Sequence, residues 1–142
     1  MAFADIYKTG QHKRNLGHFA NIVKLAMSDR IITENEQKVI NRLKKQLHIT
    51  DADYSKVIAS PDSFPINPPA NINLRLERFY NLISMVVADN AIQKEEIKLL
   101  EKISVGLGFS HDQIDRIIKK AVNFVVEGHD LDEFTKQLKK II

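Results

Sequence analysis

The sequence contains no cysteine and no tryptophan in 142 residues. Without cysteine there is no disulfide, no thiolate nucleophile and no zinc–sulfur site. Long apolar runs are missing as well. No uninterrupted apolar stretch exceeds the four residues 85–88, against the roughly 20 that a bilayer-spanning helix requires. The opening residues, MAFADIYKTG, lack the basic start and continuous apolar segment of a secretory signal. A cytoplasmic protein that is not transmembrane is the expectation. Catalytic signatures are equally scarce: there is no glycine-rich phosphate loop and no serine elbow. The histidines His12, His18, His48, His111 and His129 never fall at the spacing of a helical metal pair, and read as surface, cap or packing residues. No enzymatic activity is expected.

The apolar content is nonetheless ample. Hydrophobic residues make up 44 % of the chain and charged ones 27 %, too apolar a balance for disorder. A chain of this length folds around one core that buries about 68–70 % of the unfolded surface, so residues 1–142 are expected to form a single domain. The net charge is +3, with Lys13, Arg14, Arg42, Lys44, Lys45, Arg116, Lys119, Lys120, Lys136, Lys139 and Lys140 in small clusters. Each cluster sits among apolar residues at helical spacing, the pattern of a solvated helix face.

All four prolines, Pro61, Pro65, Pro68 and Pro69, fall in the stretch SPDSFPINPPA. A proline inside a helix costs about 3 kcal/mol, because it removes a donor and its ring collides with the preceding turn. A linker at 60–72 therefore separates two helical units, at about 16–59 and about 73–127. At an offset of sixty residues, 18–58 and 78–118 align without a gap, with eight identities among 41 positions. Among them are Phe19/Phe79, Asn21/Asn81, Asp29/Asp89, Glu36/Glu96 and Leu47/Leu107, and apolar residues also pair at Ile22/Leu82, Val23/Ile83, Ile40/Leu100 and Leu43/Ile103. One buried face is written twice.

In the first unit Leu16, Phe19, Ile22, Val23, Ala26 and Met27 recur at three-and-four spacing, matched by Leu76, Phe79, Ile83, Val86 and Val87 in the second. A second helix opens at Thr33 with Glu36, a capping-box spacing, and buries Val39, Ile40, Leu43 and Leu47. Its counterpart has Gln93 at the cap, a poorer acceptor. Third helices open at Thr50 with Asp53 and at Ser110 with Gln113, the latter running to Gly128. A last helix at 130–142, capped by Asp130 with Glu133, carries Leu131, Phe134, Leu138, Ile141 and Ile142 on one stripe. It is expected to close the core of the second unit rather than to lie open to a partner or membrane. Residues 1–13 have no counterpart and are expected to fray or, as the second alternative, to form an added docking helix. Strand alternation is absent. The fold class is all-α: about seven helices in a pseudo-two-fold bundle of two repeated units, which gives no reason to expect a dimer.

The recurrent chemistry lies in the first hairpin of each unit, DRIITENE from Asp29 to Glu36 and DNAIQKEE from Asp89 to Glu96. An Asp, an aliphatic residue three positions on and a Glu four further resembles the TerB-like family, which includes tellurite-resistance proteins and the amino-terminal domain of a DnaJ-like membrane co-chaperone. The resemblance covers 16–118 and implies an all-helical fold. It also implies that Asp29, Glu36, Asp89 and Glu96 are candidate ligands for a divalent cation. The family's frequent glycine after the Asp is Arg30 in one copy and Asn90 in the other. Asn tolerates a left-handed backbone better than Arg does, so the first turn departs further from the pattern. Structural duties alone also explain these acids, since an Asp at a turn accepts backbone amides and a Glu in a first helical turn favours the positive end of the dipole. The loop is too short for an EF-hand and has no run of alternating acids.

The expected function is thus a non-enzymatic, TerB-like interaction or scaffolding module, tied to stress or to membrane-associated assemblies. Its partner would be a protein, with peripheral membrane contact open to it. Two alternatives stand beside it. A nucleic-acid or anionic-surface binder would use 51–59 as its reading helix, with Tyr54, Ser55 and Lys56, but that helix carries two acids. A metal-dependent hydrolase would need the four carboxylates to converge.

Overall fold

A helix begins most readily where a side chain replaces the backbone acceptor that its first amides lack. In the computed structural model, which describes residues 3–28, 31–88 and 92–142, with side chains from Gly10 onward, four of the seven helices begin this way. The helices are α1 (Phe3–Ala26), α2 (Glu34–Gln46), α3 (Asp51–Ala59), α4 (Ile72–Val86), α5 (Lys94–Gly106), α6 (Ile114–Val126) and α7 (Leu131–Lys139), with a 3-10 turn at Pro61–Ser63. No strand occurs among the described residues. Thr33 and Glu36 form the full capping box of α2, while Thr50, Asn71 and Asp130 accept from the first amides of α3, α4 and α7. Gln93 makes no side-chain cap bond to α5.

Two expectations are corrected. Ser110 does not cap α6: residues 110–113 close their own turn, with the Gln113 amide donating to the Ser110 carbonyl at 3.1 Å, and the helix starts only after Gln113. The linker ends earlier than 72, because the Asn71 side chain accepts from the amides of Asn73 and Leu74 and so makes Ile72 the first helical residue. Residues 3–13 continue α1, as the helical alternative for this segment has it, and the His12 ring meets the Asp53 carboxylate at 3.0 Å, joining α1 to α3.

The helix ends show why α2 and α5 have the same bounds sixty residues apart. After each, one residue turns left-handed, His48 at φ 56° and Gly108 at φ 114°, and the next amide returns to the last turn, Ile49 to Lys44 and Phe109 to Ser104. This reversal satisfies carbonyls the helix leaves open. It also drops Ile49 and Phe109, both buried, onto the core. Gly128 ends α6 in the same way.

Every helix contributes buried apolar side chains to one cluster. Helices α1 and α4 have the most extensive contact; α2 and α5 each touch both of them, and α6 and α7 lie against α4. The proline-rich segment packs on α1: a side chain at Gly17 would come within 2.9 Å of the Pro65 carbonyl oxygen, Lys24 Nζ donates to the Phe64 carbonyl at 3.5 Å, and Pro69 is buried. Among the described residues no helix is long and apolar enough to cross a membrane.

Helix α7 covers α4. Phe134 and Leu138 are fully buried, and the Phe134 ring lies 5.0 Å from Tyr80 and 6.1 Å from Phe79. Core closure, the expected role of the last helix, is what these contacts provide. Phe134→Ala should therefore cost about 3–5 kcal/mol in urea unfolding, the usual loss for a buried aromatic. Truncation after Gly128 should give a sharply lower unfolding midpoint or an insoluble product. A truncated chain as stable as the full one would contradict closure.

Candidate functional site

Of the four acids singled out from the sequence, Asp29 and Asp89 lie outside the described residues. Glu36 and Glu96 occupy the first turns of α2 and α5 and are buried, at 4 % and 6 % exposure. The role of Glu36 is explicit. Its Oε1 accepts from the Thr33 amide at 3.0 Å, while the Glu36 amide donates to Thr33 Oγ1 at 3.2 Å. A carboxylate there satisfies an amide that the helix cannot and faces the positive end of its dipole. The two glutamates belong to helices that have no extensive contact with one another, and no group of three or more His, Asp or Glu side chains is placed to hold a metal ion among the described residues. Among the described residues of these turns, Ile31 is 68 % exposed and Ile92 40 %.

Reasoning from sequence missed the polar cluster inside the α1–α4 contact. His18 and Asn21 on α1, and Arg78 and Asn81 on α4, are all buried. They occupy equivalent positions of the two units, His18 opposite Arg78 in the alignment and Asn21 opposite Asn81. Asn81 Nδ2 lies 3.2 Å from His18 Nε2. An amide nitrogen donates, so this ring nitrogen accepts and the neutral ring carries its proton on Nδ1, a buried atom with no hydrogen-bond partner. Arg78 donates to the Asn67 carbonyl of the proline-rich segment at 3.3 Å, and Asn21 Oδ1 accepts from Lys24 Nζ at 3.5 Å. Burial removes the hydration an imidazolium needs, and the Arg78 charge repels it further, so the His18 pKa is lowered to about 3. Burial, then repulsion from Arg14, also lowers Arg78, with Glu77 opposing. The available signal was a pair of identical asparagines within an otherwise apolar stripe; nothing local tells which helix each would face.

In α3, the helix of the nucleic-acid alternative, Ser55 and Lys56 are exposed, while Asp51, Asp53 and Tyr54 make contacts within the fold. Asp51 pairs with Lys44, which holds its carboxyl below the usual range. Burial pushes Asp53 up, but the bonds from Thr50 and His12 more than offset this, and its pKa is also lowered. Tyr54 packs on Phe19, 6.0 Å between ring centres, with Lys44 Nζ 5.1 Å over its face.

His18 gives the fold a defined response to acid. Its folded pKa lies below the unfolded value of 6.5, so the unfolded chain binds more protons and stability falls as pH drops from about 6.5 toward 3. Between pH 7.5 and 5 the loss should be about 2 kcal/mol. The lowered acids Asp51, Asp53 and Glu133 act at lower pH, where carboxyls titrate. Urea unfolding across this window should show the loss in the wild type and a much flatter profile in His18→Gln, whatever that variant's stability at pH 7.5. Equal slopes would contradict the buried neutral ring.

Comparison with protein-family models, with curated proteins and with solved structures gives no match to this chain.

Proposed function

We propose that this chain is a non-enzymatic helical interaction module of the TerB-like kind, whose paired acids shape its turns instead of serving as ligands. The observation that carries this reading is the contrast within the first turn. Glu36 is buried and tied to the Thr33 amide, while Ile31, five residues earlier in the chain, is 68 % exposed. A large aliphatic side chain exposed just ahead of a capped helix start suits protein contact, since apolar side chains contribute most where a partner can desolvate them. In the second copy Glu96 is likewise buried, and Ile92, which aligns with Ile32, is 40 % exposed. The equal bounds of α2 and α5, sixty residues apart, agree with a duplicated unit, and the all-helical fold agrees with what the TerB-like resemblance implies.

A calcium or magnesium site needs six or more converging oxygens, whereas each turn carries three carboxylates, Asp29, Glu34 and Glu36 in the first copy and Asp89, Glu95 and Glu96 in the second, and Glu36 is committed to a capping box. Calorimetric titration with calcium, magnesium, manganese and zinc should therefore give no saturable heat. Thr33→Ala should lower stability by about 1 kcal/mol, the usual cost of a lost cap. Stoichiometric heat that vanishes in Asp89→Ala/Glu96→Ala would overturn the structural role and make these acids cation ligands.

A further inference from the structure

We propose that the cleft between the start of α4, the turn at 108–113 and the end of α7 binds a small organic carboxylate with an apolar tail. It lies at the opposite end of the α4–α5 hairpin from the acidic turn and is independent of the role given to those acids. The cleft has a volume of about 570 Å3, within the range of about 300–1,000 Å3 typical of small-molecule sites. Its charged lining side chains are Arg75 and Lys139, with no Asp or Glu. The charge is local, because the hollow on the other side of the first turns of α4 carries Glu77 and Asp132 instead.

Both cations are available. Neither forms an ion pair with a described residue, and Arg75 Nε is buried without a hydrogen-bond partner. The guanidinium lies against the turn: a side chain at Gly108, whose φ of 114° favours glycine, would meet Arg75 Cζ at 3.1 Å and Nε at 3.2 Å. A buried donor left unmatched costs about 1–3 kcal/mol, and a carboxylate meets a guanidinium fork with two parallel bonds. Helix α6 adds to the field, since its cap residue Gln113 lines the cleft and makes no side-chain bond to the first amides, leaving the positive end of the helix dipole facing it.

The remaining walls decide between a bare anion and one with a tail. Phe109 and Ile117 form the buried floor, and Ile72 and Ile142, 38 % and 44 % exposed, stand at the rim. Inorganic phosphate would leave this apolar surface wet, whereas an aliphatic chain covering it would recover burial at about 25 cal/mol per Å2. Two cations among apolar walls suit an amphipathic acid.

The test is titration of the full chain with octanoate, followed by amide chemical shifts, beside octan-1-ol for the tail alone and acetate for the charge alone. Octanoate should bind saturably with shifts centred on 72–75, 108–117 and 139–142, and both controls should bind at least tenfold more weakly. Arg75→Gln should weaken octanoate at least tenfold. Because Arg75 packs on Gly108, the exposed Lys139→Glu serves as a second variant that leaves the fold intact, and it should weaken binding by a similar factor. Absence of saturable octanoate binding, equal binding of octanol, or undiminished binding by Lys139→Glu would overturn the proposal.

Discussion

The pairing of α1 with α4 is the contact on which the rest of the structure depends. It buries Phe19, Ile22, Val23 and Ala26 against Leu76, Phe79, Leu82 and Ile83, all fully buried, and each large side chain there contributes about 1.5–3 kcal/mol of burial. The other helices are arranged around this pair: α2 and α5 touch both members, and α6 and α7 cover α4. Inside the same contact, His18 and Asn81 meet at 3.2 Å while His18 Nδ1 goes without a partner. An unmatched buried donor works against stability. Its structural return is register, since sliding α1 along α4 by one turn would separate His18 from Asn81 and leave two buried polar groups unpaired where now there is one unmatched atom.

The proline-rich segment is part of that constraint. Proline forbids helix there, yet the segment runs over α1 at Gly17, accepts from Lys24 through the Phe64 carbonyl and from Arg78 through the Asn67 carbonyl. Ile66 meanwhile fills the space beside Gly106 of α5, where a side chain would come within 3.0 Å of it. The segment thus touches α1, α4 and α5 and acts as a strap. Arg78 belongs to both features, buried beside His18 and bonded to the strap, so the neutral state of that histidine is coupled to where the strap lies.

Much of this was legible in the sequence because it is local. The helical class, the caps at Thr33, Thr50 and Asp130, the stop at Gly128 and the apolar stripe of α7 follow from spacing and from residue types with one favoured backbone role. Ser110 misled because its carbonyl, not its hydroxyl, closes the turn before α6. The strap was legible only as a break in helix; which glycines it approaches depends on the packing of α1 and α5. The same limit hid the functional chemistry. Glu36 could be read as a capping residue from Thr33 alone, whereas the polar cluster and the Arg75–Lys139 cleft exist only because particular helices meet, and no periodicity records that. The left-handed His48 is a further case, since nothing marks a histidine in advance as the residue to take a position that its counterpart fills with Gly108.

Native-state hydrogen exchange of backbone amides tests the central claim most directly. If the α1–α4 contact is the shared foundation, the amides of 19–26 and 79–86 should be the slowest in the chain. They should open with the same free energy, equal to that of global unfolding, while α3 and the end of α7 open at lower cost. Protection in α4 that exceeds that in α1 by several kcal/mol would mean the two helices unfold separately, and would contradict the claim that one contact holds the fold together.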